Sequence, residues 1–457
     1  MPSASRACQR WDDGRDSIFV VEVNRVHVEA FRSLYDVAIA PAHFTVAVGA
    51  NNAGKSNLGE SFEFLAEVHR HGLEIAVNRK GGFENIAHRR MRRTKRPLTF
   101  DIDVSFLAGE LPLTRRDITR AKRAKPKRSV LIGPTSRVNV THRFSIGAAS
   151  GSIRSDFAVL SETIEIVVEL TDGRTLSALV ERDRKGAVSV SAPLESDFPI
   201  ELAAVLRGLE ADYEDFLSED LESTDLLTPS LAVFNPLVRE LERRLGSIHL
   251  YRLTPLECRK PGAPTPNPEL ELHGGNLPAV VAYMQRNTDA AWTHTLDAMR
   301  TIVPGLEDIR TGFTHDRRLT LQFVEEGVGR PWTAEEISDG TIQSLALFAA
   351  VFDPRVPVSF IEEPENAVHP WIVRAFVDAC RRVDYKQIVV TTHSPALIGY
   401  LSPAELIVIW RKEGRSELAK LPDLDEDAMR LWGDGEISTF DLVDSGWLRQ
   451  AVPEGLH

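Results

Sequence analysis

From Gly49 to Ser56 the chain reads GANNAGKS, two glycines with four residues between them, followed at once by a lysine and a serine. Glycines let a loop curl until successive backbone N–H groups point inward, and a helix starting there adds the positive end of its dipole. A lysine and a hydroxyl at the exit then reach nucleotide phosphates and a Mg²⁺ ion. On this reading Gly49, Asn51, Asn52, Ala53, Gly54, Lys55, Ser56 and Asn57 would hold a triphosphate, with Ser56 on the metal. A Gly-rich turn before an ordinary helix has the same letters, so the surroundings decide.

Three further stretches supply the chemistry that such a loop lacks. VPVSFIEEPENAVHP (356–370) is an apolar run ending in two carboxylates. At the tip of a buried strand, Glu362 can hold a metal while Glu363 polarises water. A solvated acidic helix start is the plainer alternative. QIVVTTHSPALI (387–398) puts His393 after a second buried strand, placed to sense a γ-phosphate or orient water; a histidine capping the next helix is the alternative. EEISDGTIQSLALFAAVFD (335–353) sets Ser338, Asp339 and Gly340 before an apolar helix, where a hydroxyl and bare N–H groups make either an anion site or a simple N-cap.

Elements must bring these residues together. IFVVEVNRVHVEAF and HFTVAV are strand-like and run directly into the glycine loop, while Leu58, Phe62 and Leu65 repeat at helical spacing after it. The middle of the chain contains short β-type runs, LTFDIDVSF, RVNVTHRFSI, TIEIVVEL, TLSALVE and AVSVSA, with a hairpin turn expected at TDG (171–173). An antiparallel sheet is expected there, then helices near 200–245 including NPLVRELERRLG. Beyond Trp332, helices alternate with strands, which implies a parallel sheet with functional loops at the strand C-terminal ends. The expected class is α/β, with mixed and parallel sheet. A first lobe spans 17–110, a β-rich then helical insertion 111–250, and a second lobe 251–457.

Composition narrows the setting. The 457 residues carry a net charge of -12 and an ordinary hydrophobic fraction of 43%, with no apolar run long enough for a membrane span. The polar N-terminus has no secretory pattern, so a cytoplasmic location is expected. Cys8, Cys258 and Cys380 are too scattered for a disulfide framework or zinc site. Charge is nevertheless polarised: 79–96 and 115–128 are rich in Arg and Lys, whereas 195–225 is acidic.

The ordered set of glycine loop, SDG helix, Glu-Glu strand and His strand resembles the ABC-type ATPases of the SMC, RecF and OLD group, especially the AAA_21-type OLD-like proteins. VEAFRSLYDVAIAPAHFTVAVGANNAGKSN looks like their N-terminal sheet and Walker A, EISDGTIQSLALFAAVFD like the signature helix, FIEEPENAVHP like Walker B with its D-loop, and VVTTHSPALI like the histidine switch. The resemblance implies a P-loop ABC-type head that sandwiches ATP and Mg²⁺ in a homodimer, with higher oligomers open. Lys55 and Ser56 would hold phosphate and metal, Glu362 would assist the metal, and Glu363 would be the general base. Ser338 and Gly340 would meet the partner's γ-phosphate, Asn366 would lie in the subunit-crossing D-loop, and His393 would complete the site. Arg32 matches a position near base or phosphates.

Two departures stand out. Glu362 replaces the shorter Asp common in such enzymes, and the usual Q-loop glutamine is missing between the loop and Gln285, with Asn85 or His88 as substitutes. The chain after His393 is also too short for the family's TOPRIM nuclease, so any nuclease is expected in a separate effector protein. The implied role is an ATPase linked to DNA repair or anti-phage defence, with non-specific DNA as a possible ligand through the basic stretches. A clamp that holds and releases a protein effector without DNA is the alternative.

Overall fold

The computed structural model describes residues 21–88, 96–107, 135–149, 156–191, 221–233 and 235–444. The basic stretch 115–128 and most of the acidic stretch 195–225 lie outside these.

Among the described residues one sheet of 13 strands organises the molecule. Its strands are β1 (Val21–Phe31), β2 (Leu34–Ile39), β3 (Phe44–Val48), β4 (Leu98–Leu107), β5 (Thr135–Ala148), β6 (Phe157–Leu170), β7 (Thr175–Arg182), β8 (Val188–Ser191), β9 (Ile248–Tyr251), β13 (Val358–Glu362), β14 (Gln387–Thr392), β15 (Leu406–Lys412) and β16 (Arg415–Lys420). A second sheet holds β10 (Leu306–Phe313), β11 (Leu319–Glu325) and β12 (Trp332–Thr333). The large sheet runs β8-β7-β6-β5-β4-β1-β2-β16-β15-β3-β14-β13-β9.

Its two halves follow different rules. From β15 through β3, β14 and β13 to β9 the strands are parallel, and β3, β14 and β9 are buried at every position. That suits their near-continuous apolar sequences, since helices cover both faces. From β1 through β4 to β8 the pairing is antiparallel, and β6 and β7 largely alternate buried with more exposed positions. One face of this wing packs inward and the other meets solvent. Leu170 and Gly173 close the expected turn between β6 and β7, with the Gly173 N–H donating to the Leu170 carbonyl at 3.0 Å.

The mixed α/β class expected from the sequence is therefore observed. The β-rich segment, however, extends the same sheet through the β1 and β4 pairing. Two apolar clusters fill the two sides: one includes Phe62, Leu65, Leu241 and Ile166, the other Phe348, Leu345, Phe376 and Val390. The Lys55–His71 helix lies in the first and the Asp339–Phe352 helix in the second.

Candidate functional site

Strand register places the motifs on one edge. Thr392 pairs with Val48, and Glu362 pairs with Thr391, so the ends of β3, β14 and β13 are flush. Gly49, His393 and Glu363 each follow one of these ends. In a parallel sheet that is where a ligand site forms.

The glycine loop joins β3 to the Lys55–His71 helix, as its sequence predicts. A side chain at Gly49 would put its Cβ 2.0 Å from the Ile409 carbonyl oxygen, so β15 passes too close for any other residue. Gly54 adopts φ 116° and its Cβ would fall 2.1 Å from Ser416 Oγ. Ser416 donates to the Ala53 carbonyl at 2.6 Å and lies 2.7 Å from Ser33 Oγ, which accepts from Asn57 Nδ2 at 2.6 Å. This hydroxyl chain ties the loop to the β1–β2 turn and to β16.

Lys55 is buried inside its own loop, donating to the carbonyls of Gly49 at 2.6 Å and Ala50 at 3.0 Å. Burial lowers its pKa to about 8, against the opposing pull of Glu363 and Glu365. His393 Nδ1 lies 3.4 Å from the ammonium, and His393 Nε2 lies 3.5 Å from Glu363 Oε1. Burial first, and Lys55 second, depress the imidazole pKa. A neutral ring fits there, between a cation and a carboxylate.

Glu363 sits at φ 47°, a left-handed conformation rare for a residue with a Cβ. Its N–H donates to the Thr391 carbonyl at 2.9 Å, and Asn366 Nδ2 donates to its Oε2 at 3.0 Å. The sequence reading missed Glu365, whose Oε1 accepts from Thr392 Oγ1 at 2.6 Å and from the His393 N–H at 3.0 Å. Its place in EEPEN, three residues past Glu362, was the available signal.

Glu362 is held by a residue that no motif announced. Arg252, just after β9, grips it in a fork, Nε to Oε2 at 2.7 Å and Nη2 to Oε1 at 3.1 Å. Gly59 leaves room for this carboxylate, since a Cβ there would fall 2.7 Å from Glu362 Oε1. Glu362 is thus tucked against the helix that begins with Lys55 and Ser56. A guanidinium already stands in for a cation here, and carboxylate and serine hydroxyl are the hard oxygen donors that Mg²⁺ prefers. The residues present fit the metal.

Arg32, Asn52 and Asn57 border a cavity of about 860 Å³ beside the loop, together with Lys80, Asn85, His88 and Arg411. Both residues considered as Q-loop substitutes therefore face the same space as Arg32. His88 Nδ1 donates to the Arg32 carbonyl, and the Arg32 N–H donates to the Ile86 carbonyl at 2.8 Å. Asn51 on the loop and Ser56 in the first turn of the helix are exposed.

Ser338 caps the Asp339–Phe352 helix, its Oγ accepting from the Thr341 N–H at 3.1 Å, so the simple N-cap is present. Ser338 remains exposed, and Gly340 lies against the turn after Glu363, where a Cβ would come 3.1 Å from the Ala367 carbonyl oxygen. Arg259, also unforeseen, gathers this segment: Nε donates to the Ala334 carbonyl at 3.0 Å, Nη2 to Ile337 at 2.7 Å, and Nη1 pairs with Asp339. The fold thus joins Lys55, His393 and Glu363 directly. Gly340 approaches this edge at Ala367, four residues past Glu363.

Of the first basic stretch, Arg79 pairs with Glu67 and Lys80 with Glu63 at 2.5 Å, both acids of the Lys55–His71 helix. Residues 89–95 of that stretch lie outside the described residues. Among the described residues no helix is long and apolar enough to cross a membrane.

Residues 234–399 match the family model AAA_21, described as "AAA domain, putative AbiEii toxin, Type IV TA system". The resemblance to AAA_21-type ATPases drawn from the motifs holds over that segment, which contains the SDG helix, both Glu362 and Glu363, and His393. No curated protein matches the sequence. Solved structures similar to the chain include a Smc head bound to the C-winged helix domain of ScpA, 14% identical, covering 87% of this chain and 97% of that one, TM-score 0.43. A Pyrococcus furiosus Smc head with an extended coiled coil, bound to the C-terminal domain of ScpA, is 14% identical over 91% of this chain and 100% of that one, TM-score 0.40. The Thermotoga maritima SMC head is 11% identical over 87% and 98%, TM-score 0.35.

Proposed function

We propose that this chain, AAA_21-type over residues 234–399, binds and hydrolyses ATP and closes into a homodimer around it. The observation that carries this reading is the meeting of Lys55, His393 and Glu363 within 3.4 and 3.5 Å, although separate strands deliver them. Lys55, released from the loop carbonyls, would neutralise β- and γ-phosphate charge. Glu363, fixed by Asn366 and by its own N–H, would take a proton from the attacking water. His393 would orient that water or the γ-phosphate through Nε2. Ser56 and Glu362 would hold Mg²⁺, which would supply positive charge to offset the negative charge of the phosphate oxygens. Arg32, Asn52 and Asn57 would face the rest of the nucleotide from the adjoining cavity.

The exposed Ser338 and the N-terminus of its helix are available to a second copy of the chain, and Asn366 would cross between subunits. Solution mass measurement tests this directly. Glu363→Gln should accumulate an ATP-bound dimer; a Gln variant that binds ATP yet stays monomeric removes the sandwich, and a Lys55→Ala variant that hydrolyses normally removes the loop assignment.

The output of the cycle is a DNA-linked process, in repair or in control of an anti-phage effector protein such as a nuclease. The family description, which names a toxin system, agrees with a defence setting. One observation favours the second reading, a clamp for a protein effector: Arg79 and Lys80 are neutralised by Glu67 and Glu63. DNA that stimulates the ATPase in a salt-sensitive way supports the first; an unchanged rate together with ATP-dependent capture of a protein supports the second.

A further inference from the structure

The carboxylate assigned to the metal is already engaged by a cation of the chain itself. Arg252 presents two N–H groups to the two oxygens of Glu362, at 2.7 and 3.1 Å, and Glu362 is mostly buried, with 11% of its side chain exposed. A guanidinium fork on a carboxylate is among the stronger hydrogen-bonded pairs, more so away from water. A divalent ion drawn to the same oxygens would lie beside the guanidinium, and two cations so close repel.

The network also supplies a second place for Arg252. Its Nη2 lies 3.4 Å from Glu60 Oε1, and Glu60 Oε2 pairs with Arg32. Arg32, Glu60, Arg252 and Glu362 thus alternate in charge from the cavity beside the glycine loop to the tip of β13. Arg32 is the member that borders that cavity. A nucleotide that draws Arg32 into the cavity leaves Glu60 with a free oxygen for Arg252.

Resting on the nucleotide reading above, we propose that Arg252 is an internal counter-cation that competes with the divalent metal for Glu362, and that Glu60 receives it once Arg32 turns to the nucleotide. Metal loading is thereby coupled to nucleotide loading. Glu362 stays neutralised by the fork until the nucleotide arrives, and its charge is then handed to the metal.

The test uses the full chain, AMP-PNP as the nucleotide and Mn²⁺ as the metal, with free Mn²⁺ read by its electron paramagnetic resonance signal. Relative to wild type, Arg252→Gln should bind Mn²⁺ about tenfold more tightly without nucleotide, the change expected when one forked ion pair no longer competes, and this gain should shrink in the AMP-PNP complex, where Glu60 holds Arg252. Arg252→Lys, which keeps the charge and serves as the second variant should the Gln form fail to fold, should tighten Mn²⁺ binding less. In a Glu362→Gln background the gain should vanish. An unchanged or weakened Mn²⁺ affinity in both Arg252 variants overturns the proposal, and weakening would make Arg252 a brace for Glu362. If equilibrium dialysis shows no Lys55-dependent binding of AMP-PNP, the nucleotide reading itself fails; if it shows such binding while Mn²⁺ affinity ignores Arg252, the competition alone fails.

Discussion

Lys55 Nζ lies 3.4 Å from His393 Nδ1, across 338 positions of sequence. The lysine reaches this point because burial turns its ammonium back onto the Gly49 and Ala50 carbonyls, and its pKa falls to about 8. Phosphate oxygens brought against Nζ favour the charged form and raise that value. Between the two values the nucleotide complex binds more protons than the free chain, so association takes up a proton. At about pH 8.5, calorimetry in buffers of different ionisation heat should show uptake of roughly half a proton or more per ATP analogue. Lys55→Arg, charged throughout this range, should bind with markedly smaller uptake. Equal uptake in both would detach the proton from Lys55.

Glu365 acts on the site through His393. Its Oε1 accepts from both the His393 N–H and the Thr392 hydroxyl, fixing where the ring projects beyond β14. Glu365→Ala removes that acceptor and should lower kcat by about tenfold with little change in KM, a loss expected of misplacement rather than of binding. Glu365→Gln retains a carbonyl oxygen at the same reach and should recover most of the rate. If Gln and Ala are equally impaired, the carboxylate charge matters more than the two hydrogen bonds.

Arg259 holds the segment that a second subunit would meet. It ties the Ala334 and Ile337 carbonyls and the Asp339 carboxylate into one cluster just before the Asp339–Phe352 helix. Arg259→Met keeps the aliphatic stem and loses those bonds. In the Glu363→Gln background this change should weaken the ATP-dependent dimer by about tenfold in sedimentation velocity, since three contacts ordering the interface are lost. ATP binding by the monomer should persist. A dimer of undiminished affinity would show that this ordering is not needed.

The four motifs were legible because each has local chemistry: a glycine loop between strand and helix, acids or a histidine at the end of an apolar run, a serine before a helix. Parallel pairing of β3, β14 and β13 then follows from strands separated by helices, and it brings the motif ends level. Arg252, Glu60 and Arg259 were not legible, because an arginine outside a motif declares no partner until the chain is folded. Sheet order was hidden for a related reason. β15 and β16 insert between β3 and β2, although they come last among the strands, and the β4–β8 wing joins the main sheet through β1. Alternation of apolar residues reports that a strand exists, and strand pairing is decided by distant chain.

Lys386 gives a last prediction, far from the glycine loop. Fully buried, its Nζ donates to the Ala350 carbonyl at 2.7 Å and the Asp353 carbonyl at 3.1 Å, closing the C-terminal end of the Asp339–Phe352 helix. A cation suits that end of the helix dipole. Burial nevertheless outweighs the attraction of Asp353 and lowers the pKa to about 8, from 10.5 in an unfolded chain. Between these values the unfolded chain holds more protons than the folded one, so the stability contributed by this group is complete above 10.5 and is lost as pH falls towards 8. Lys386→Met removes the titration along with the two hydrogen bonds. Lys55 titrates in the same range but is present in both proteins, so it cancels in the difference. Wild type should therefore gain stability over Lys386→Met by about 3 kcal/mol between about pH 8 and about pH 10.5 in urea unfolding. A difference that stays flat across this window would mean that the ammonium is no costlier to bury than to leave in water.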